Sequence, residues 1–196
     1  MKSATCIFIG RSGCGKGTQA ELLIKYFKEK SDNPVFYLES GQKFREFISS
    51  SSYTASLSNE IMKDGKLQPA FLAIHLWAHL MIEQMDEKKH LVIDGTPRKL
   101  EEAKILDEAF KFYKRNTPTI IYVNVSRKWS IERLEARGRA DDKSLEEINK
   151  RLDWFDNDVM PAVEYYRNNP DYKFCDINGE QTVEEVFKDI LGKIGA

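Results

Sequence analysis

The stretch Thr5-Cys6-Ile7-Phe8-Ile9-Gly10-Arg11-Ser12-Gly13-Cys14-Gly15-Lys16-Gly17-Thr18 decides the fold. Five β-prone residues run into a glycine-rich loop, and the loop opens a helical pattern through Leu22, Leu23 and Tyr26. Glycines let backbone N–H groups converge on phosphate oxygens. The helix N-terminus adds partial positive charge, and Lys16 supplies a mobile cation for the outer phosphates. Strand, loop and helix in that register predict a nucleoside triphosphate site. Lys16 is followed by Gly17, so Thr18 takes the hydroxyl position one residue later than in most loops that hold Mg²⁺.

Working outward, further short β-rich runs at Val35–Leu38, Leu91–Ile93, Thr119–Val125 and Tyr172–Cys175 alternate with helical patterns. Runs such as CIFI and TIIYVNV are continuously apolar or β-branched, as strands buried on both faces require. The expected fold is α/β: a three-layer sandwich with a five-stranded parallel sheet flanked by helices. The long insertion from Ser40 to Lys89 reads as a small helical subdomain. Leu100, Ala103, Leu106, Phe110 and Tyr113 form one apolar stripe, and Val183, Val186, Phe187, Ile190, Leu191 and Ile194 another, both directed at the sheet.

At 196 residues the chain fits one domain that buries a full core. Its 30 basic and 31 acidic side chains leave a net charge of −1, which excludes a global field for nucleic acid or an anionic membrane. Leu67 to Ile82, 16 residues free of charge, is too short and too polar to span a bilayer. Ala4 to Ile9 is too short for a signal-peptide core. Cys6, Cys14 and Cys175 form neither a disulfide framework nor a zinc pattern, so a reducing cytoplasm is the natural reading; a monomer is expected. His75, His79 and His90 read as packing residues, and Cys14 as a space-filling thiol in the loop.

Beyond the loop, four segments carry a resemblance covering essentially the whole chain. They are Ser40-Gly41-Gln42-Lys43-Phe44-Arg45, Gly65-Lys66-Leu67, Asp94-Gly95-Thr96-Pro97-Arg98, and the arginine-rich Arg133 to Arg139 followed by Asn149-Lys150-Arg151-Leu152. With GRSGCGKGTQ in the loop, the chain resembles the adenylate kinase family of nucleoside monophosphate kinases. It looks like the short-lid form without zinc, since only Gly138 separates Arg137 from Arg139. Ser12, Gln42 and Thr96 depart from the family's residues at their positions.

The resemblance implies reversible, Mg²⁺-dependent transfer of the ATP γ-phosphoryl group to a nucleoside monophosphate, with AMP favoured. GMP, CMP or UMP, and a small metabolite on the same core, are the alternative acceptors. The implied division is a core of 1–39, 90–132 and 152–196, a helical acceptor insertion of 40–69 and a lid of 133–151. ATP binding falls to Gly13, Cys14, Gly15, Lys16, Gly17, Thr18, Arg133, Arg137 and Gln181. The monophosphate falls to Ser40, Gly41, Arg45, Lys66, Leu67, Gln68, Gly95, Arg98, Glu102, Arg139 and Arg151. Catalysis is assigned to Lys16, Arg98, Arg137, Arg139 and Arg151, with Arg133 stacked on the donor base. Asp94 orients Mg²⁺ through water.

Residue chemistry agrees with a phosphoryl clamp. Half of the ten arginines lie between Arg127 and Arg151, and each planar fork pairs two phosphate oxygens while staying charged. Thr96 and Pro97 read as the cap and first residue of a helix that sets Arg98 at an anion-attracting start. Glu102 stands where family adenylate kinases carry a base-reading Gln, so it either contacts the acceptor base or pairs with Arg98 while Gln42 or Gln68 reads adenine. A GTP-dependent switch is excluded by pattern: Asn149-Lys150-Arg151-Leu152 is not N-K-x-D, and Asp94-Gly95-Thr96-Pro97 is not D-x-x-G.

Overall fold

A computed structural model describes residues 2–138 and 144–195. The strands are β1 (Thr5–Ile9), β2 (Val35–Glu39), β3 (His90–Asp94), β4 (Thr119–Asn124) and β5 (Lys173–Asn178). They form one parallel sheet in the order β2-β3-β1-β4-β5. β1 and β3 are buried along their whole length, which is why their sequences do not alternate. The edge strand β5 does alternate, with Cys175 and Ile177 buried beside more exposed neighbours.

The two faces of each inner strand feed two cores. Ile7, Ile9, Leu91, Ile93, Ile120 and Tyr122 point to one, where α4 (Ala70–Gln84) brings Trp77 and Met81. There α5 (Leu100–Phe112) brings Ala103, Leu106 and Phe110, and α8 (Met160–Arg167) brings Val163 and Tyr166. Cys6, Phe8, Val92, Ile121 and Val123 point to the other, against Leu23 and Phe27 of α1 (Lys16–Lys30) and Val186 and Ile190 of α9 (Val183–Ile194). Each such aliphatic or aromatic side chain contributes about 1.5–3 kcal/mol when fully buried. These two cores hold the carboxyl ends of β1 and β3 side by side.

Between β2 and β3 lie α2 (Ser40–Ile48), α3 (Tyr53–Lys63) and α4. The insertion is thus less separate than expected. α2 meets α4 through a small cluster of Phe44, Leu72 and Ala73, whereas Trp77 and Met81 of α4 belong to the main core. The reason is the almost charge-free sequence of α4, which presents apolar residues to both neighbours. Beyond β4, α6 (Arg127–Arg137) and α7 (Leu145–Trp154) share a third apolar cluster of Leu134, Ile148 and Leu152. α7 runs into a π-helical turn, Phe155–Val159, before α8. Among the described residues no helix is long and apolar enough to cross a membrane.

Two expectations need correction. Thr96 and Pro97 do not start a helix: α5 begins at Leu100 with Lys99 at the cap position, because the Thr96 hydroxyl is spent on the Glu102 side chain. Arg98 therefore lies in the loop before the helix. The histidines also divide. His90 is fully buried, stacked on Phe27 at 4.3 Å, and its Nδ1 accepts from the Ala4 N–H, while burial lowers its pKa and keeps it neutral. His75 and His79 are exposed on α4, stacked on each other at 6.0 Å, with His79 Nε2 3.5 Å from Glu83. Their face of α4 looks outward, so neither packs a core.

Candidate active site

The loop from Gly10 to Gly15 bridges β1 and α1, and Gly13 and Gly15 adopt φ of 83° and 91°. A side chain would strain both positions. Gly10 is required by proximity: a Cβ there would lie 2.4 Å from the Val123 carbonyl oxygen of β4. Lys16 folds back over the loop. Its Nζ donates to the carbonyls of Gly10 at 2.7 Å and Arg11 at 2.9 Å, with the Cys14 sulfur at 3.6 Å. Those oxygens hold the ammonium over the loop, on the side where phosphate oxygens would meet it. Cys14 is buried, as a space-filling thiol should be, while Gly17 and Thr18 open the helix with Thr18 exposed.

Asp94 ends β3 beside this loop, its Oδ2 3.6 Å from where a Gly17 Cβ would stand. The residue is 8% exposed and Oδ1 is buried with no hydrogen-bond partner. Burial raises its pKa, the Lys16 charge opposes that, Glu39 raises it further, and Arg98 and a Tyr37 hydrogen bond lower it. A buried carboxylate oxygen without a donor is a costly feature. It fits a residue whose partner is a hydrated divalent cation, because Mg²⁺ retains several of its waters.

On the insertion side, the Ser40 hydroxyl donates to the Gly95 carbonyl at 2.7 Å, fastening the start of α2 to the loop after β3. Arg98 donates through Nε to the same carbonyl at 2.7 Å, and its guanidinium lies 5.8 Å from the Trp154 ring centroid. A Cβ on Gly41 would be 3.3 Å from Arg45 Nη1 and 3.6 Å from Arg98 Nη2. Two arginine forks thus converge over a glycine at the start of a helix, an arrangement suited to a phosphate dianion. Arg45 also pairs with Glu39 at 3.1 Å.

From the other side, Arg151 of α7 donates to the Ser12 hydroxyl of the loop at 3.2 Å. A 70 Å³ cavity is lined by Gly10, Ser12, Lys16, Gly95, Arg98 and Arg151 among others. Three cations from three separate segments share it. Next to it opens a 650 Å³ cavity lined by Gly65, Lys66, Leu67, Lys99, Lys150 and Trp154 among others.

Several assigned residues stand differently from what their roles imply. Glu102 is 2% exposed, and its Oε2 accepts from the Thr96 hydroxyl at 2.9 Å. Burial raises its pKa, while Thr96, the Arg98 charge and the Arg98 backbone N–H oppose the rise. It braces the loop that carries Arg98. Gln68 is buried, and among the described residues its amide bonds Ser58 alone, at 2.8 Å and 2.9 Å. Gln42 donates to Glu46. Gln181 donates to the Asn178 carbonyl and to Asp189, and Arg133 lies 4.8 Å over the Trp129 ring. Arg137 is exposed at the end of α6. Arg139 lies outside the described residues.

Contacts that sequence reading missed fasten this site. Arg11, inside the loop, reaches the Val125 carbonyl at 2.8 Å and Asp156 at 2.6 Å, and Arg127 pairs with Asp153 and Asp156. These bonds tie the phosphate loop and α6 to α7 and the π-helical turn. Trp154 and Tyr37 join through stacking and hydrogen bonding. The only sequence signal was the acidic run Asp153-Trp154-Phe155-Asp156, whose partners are far away in the chain.

A family model described as adenylate kinase matches residues 8–170. An adenylate kinase of Azobacteroides pseudotrichonymphae is 31% identical over 188 residues, covering 94% of each chain. Adenylate kinase 1 of Schistosoma mansoni is 31% identical over 194 residues, 95% of this chain and 91% of that one. An adenylate kinase of Flavobacterium psychrophilum is 30% identical over 186 residues, 93% of each. Phosphate loop, paired arginines and full-length similarity agree: the chain belongs to the adenylate kinase family of nucleoside monophosphate kinases.

Proposed function

We propose that this protein transfers the γ-phosphoryl group of ATP reversibly to AMP, giving two ADP. The observation that carries the reading is the meeting of Lys16, Arg98 and Arg151 around one small cavity, with Arg45 and Arg98 converging over Gly41 beside it. ATP phosphates occupy the loop Gly13-Cys14-Gly15-Lys16-Gly17-Thr18, and Lys16 exchanges its carbonyl partners for them. The acceptor phosphate sits between Arg45 and Arg98 at the start of α2, near Ser40, Gly41 and Gly95. Gly65-Lys66-Leu67, Gln68 and Glu102 bound the acceptor side. Arg151 joins the two phosphate sites, with Arg137 and Arg139 brought in as segment 133–151 closes and Arg133 and Gln181 on the donor nucleotide.

Mg²⁺ held through water by Asp94 would neutralise charge on the donor phosphates. The protein's own part is positioning and exclusion of water. Both phosphates carry negative charge, and preorganised guanidinium and ammonium groups lower the cost of bringing them into line. No side chain need become covalently attached. The working division is the core 1–39, 90–132 and 152–196, the helical acceptor insertion 40–69 and the short lid 133–151. The protein acts as a monomer on free nucleotides in the cytoplasm, without nucleic acid or membrane, in keeping with a net charge of −1 that gives no global field for a polyanion.

A coupled assay with ATP against AMP, GMP, CMP, UMP and dTMP tests the proposal. AMP should give the highest kcat/KM. Preference for another monophosphate would move the acceptor base, and turnover with none would leave the family's core serving a small-metabolite acceptor.

A further inference from the structure

At the end of the sheet opposite the phosphate loop lies a 540 Å³ cavity, where Pro118 leads into β4 and Tyr172 into β5. Strands of this length rise about 20 Å, so the cavity is a full strand away from Lys16. Arg115 lines it. The residue is 8% exposed, and its guanidinium donates to main-chain carbonyls of Asp86, Glu87 and Lys89. Its Nε has no partner, and among the described residues no carboxylate oxygen lies within 4.0 Å of its nitrogens. Burial lowers the guanidinium pKa and the Asp86 charge only partly offsets that, so the cation is incompletely compensated.

The rest of the wall leaves that deficit open. Lys111 pairs with Asp107 at 2.8 Å, and the same carboxylate accepts from Tyr165 and Tyr172. Burial would raise the Asp107 carboxyl, but the Lys111 and Tyr172 hydrogen bonds outweigh it and hold the pKa low, so its charge is already satisfied. Lys114 and Asp171 also line the cavity, giving three cations against two carboxylates in its wall. Lys114 and Thr117 sit in left-handed backbone, with φ of 54° and 48°. A β-branched residue there is a rare outlier, of the kind that concentrates at ligand sites.

We propose that this cavity is a second ligand site, taking a small multivalent oxyanion that completes the counter-charge of Arg115 beyond what Asp86 provides and pairs with Lys114. Phosphate and polycarboxylates share that chemistry: several oxygens, and a charge that a guanidinium fork recognises. The site stands apart from phosphoryl transfer, since none of these residues lines the cavities around Lys16 and Arg98.

The test is a titration of the ¹⁵N-labelled full chain with inorganic phosphate and, separately, citrate, followed by amide chemical shifts. At least one probe should give saturable shifts in residues 111–118 and 171–173, with a Kd of about 1 mM or below. Phosphate alone identifies a phosphoryl ligand, citrate alone a carboxylate. Lys16→Ala should leave these shifts intact while removing those of the phosphate loop. Lys114→Ala should weaken the response about tenfold, and Arg115→Met should abolish it. A guanidinium that only clasps the loop after α4 predicts no response to either probe. That result, or shifts of unchanged affinity in both Lys114→Ala and Arg115→Met, overturns the proposal. Should Arg115→Met not fold, Lys114→Ala alone decides, because among the described residues the Lys114 side chain makes no hydrogen bond or ion pair whose loss would unfold the chain.

Discussion

Replacing Thr96 by valine removes one hydroxyl from a site where its partner has few alternatives. Thr96 and Glu102 are each 2% exposed, and the hydroxyl donates to Glu102 at 2.9 Å. A hydrogen bond to an ionised group is worth about 1.5–3 kcal/mol, against about 0.5–1.5 kcal/mol to a neutral one. The added methyl recovers about 0.8 kcal/mol of burial. Thr96→Val should therefore cost about 1–2 kcal/mol while Glu102 is ionised and almost nothing when it is protonated. Burial raises the folded pKa of Glu102 above its ordinary 4.5. The group's contribution to stability is thus fully present below the unfolded value and is lost as pH rises through the folded one. Losing the Thr96 donor pushes the folded value higher still and makes that loss larger.

Urea unfolding of wild type and Thr96→Val at about pH 7.5 and about pH 4.5 measures the difference, which should appear only at the higher pH. In melting temperature it amounts to about 3–6 °C for a chain of this size. Adding Glu102→Gln to Thr96→Val should return most of the lost stability at neutral pH, since a neutral amide needs no charge-stabilising donor. An equal loss at both pH values, or no loss at neutral pH, would refute an ionised, Thr96-dependent Glu102.

Lys16→Ala and Arg98→Ala should each lower kcat/KM by about 10²-fold or more, with far-ultraviolet circular dichroism unchanged; a folded variant keeping half its activity removes that residue from the transfer step. Arg139→Lys keeps the charge but loses the fork, so its kcat should fall more than its KM changes, and a near-wild-type kcat in steady-state kinetics would argue against two-point gripping. Glu102→Gln should shift the AMP/GMP ratio of kcat/KM by less than about threefold, because the carboxylate is buried against Thr96. A shift toward AMP of tenfold or so would return residue 102 to the acceptor base.

Sequence alone determined the elements whose signal is local. The glycine loop after an apolar strand, the unbroken apolar runs of β1, β3 and β4, and the stripes of α5 and α9 each report a buried face or a strained turn through near neighbours. The phosphate loop, Asp94, Arg45 and Arg98 were legible for the same reason, being carried by short motifs at strand ends. Tertiary structure decided what depends on partners far away in the chain. Arg11 finds Asp156 across 145 residues, and Arg151 finds Ser12 across 139. Thr96 looked like a helix cap because its neighbours fit one, yet its hydroxyl turned inward once Glu102 was buried beside it. His75 and His79 matched an apolar stripe, yet the outward face of α4 left them in water. A side chain's type and spacing decide what it is able to bind, but which partner it meets, and how dry that meeting is, follows from packing between distant segments.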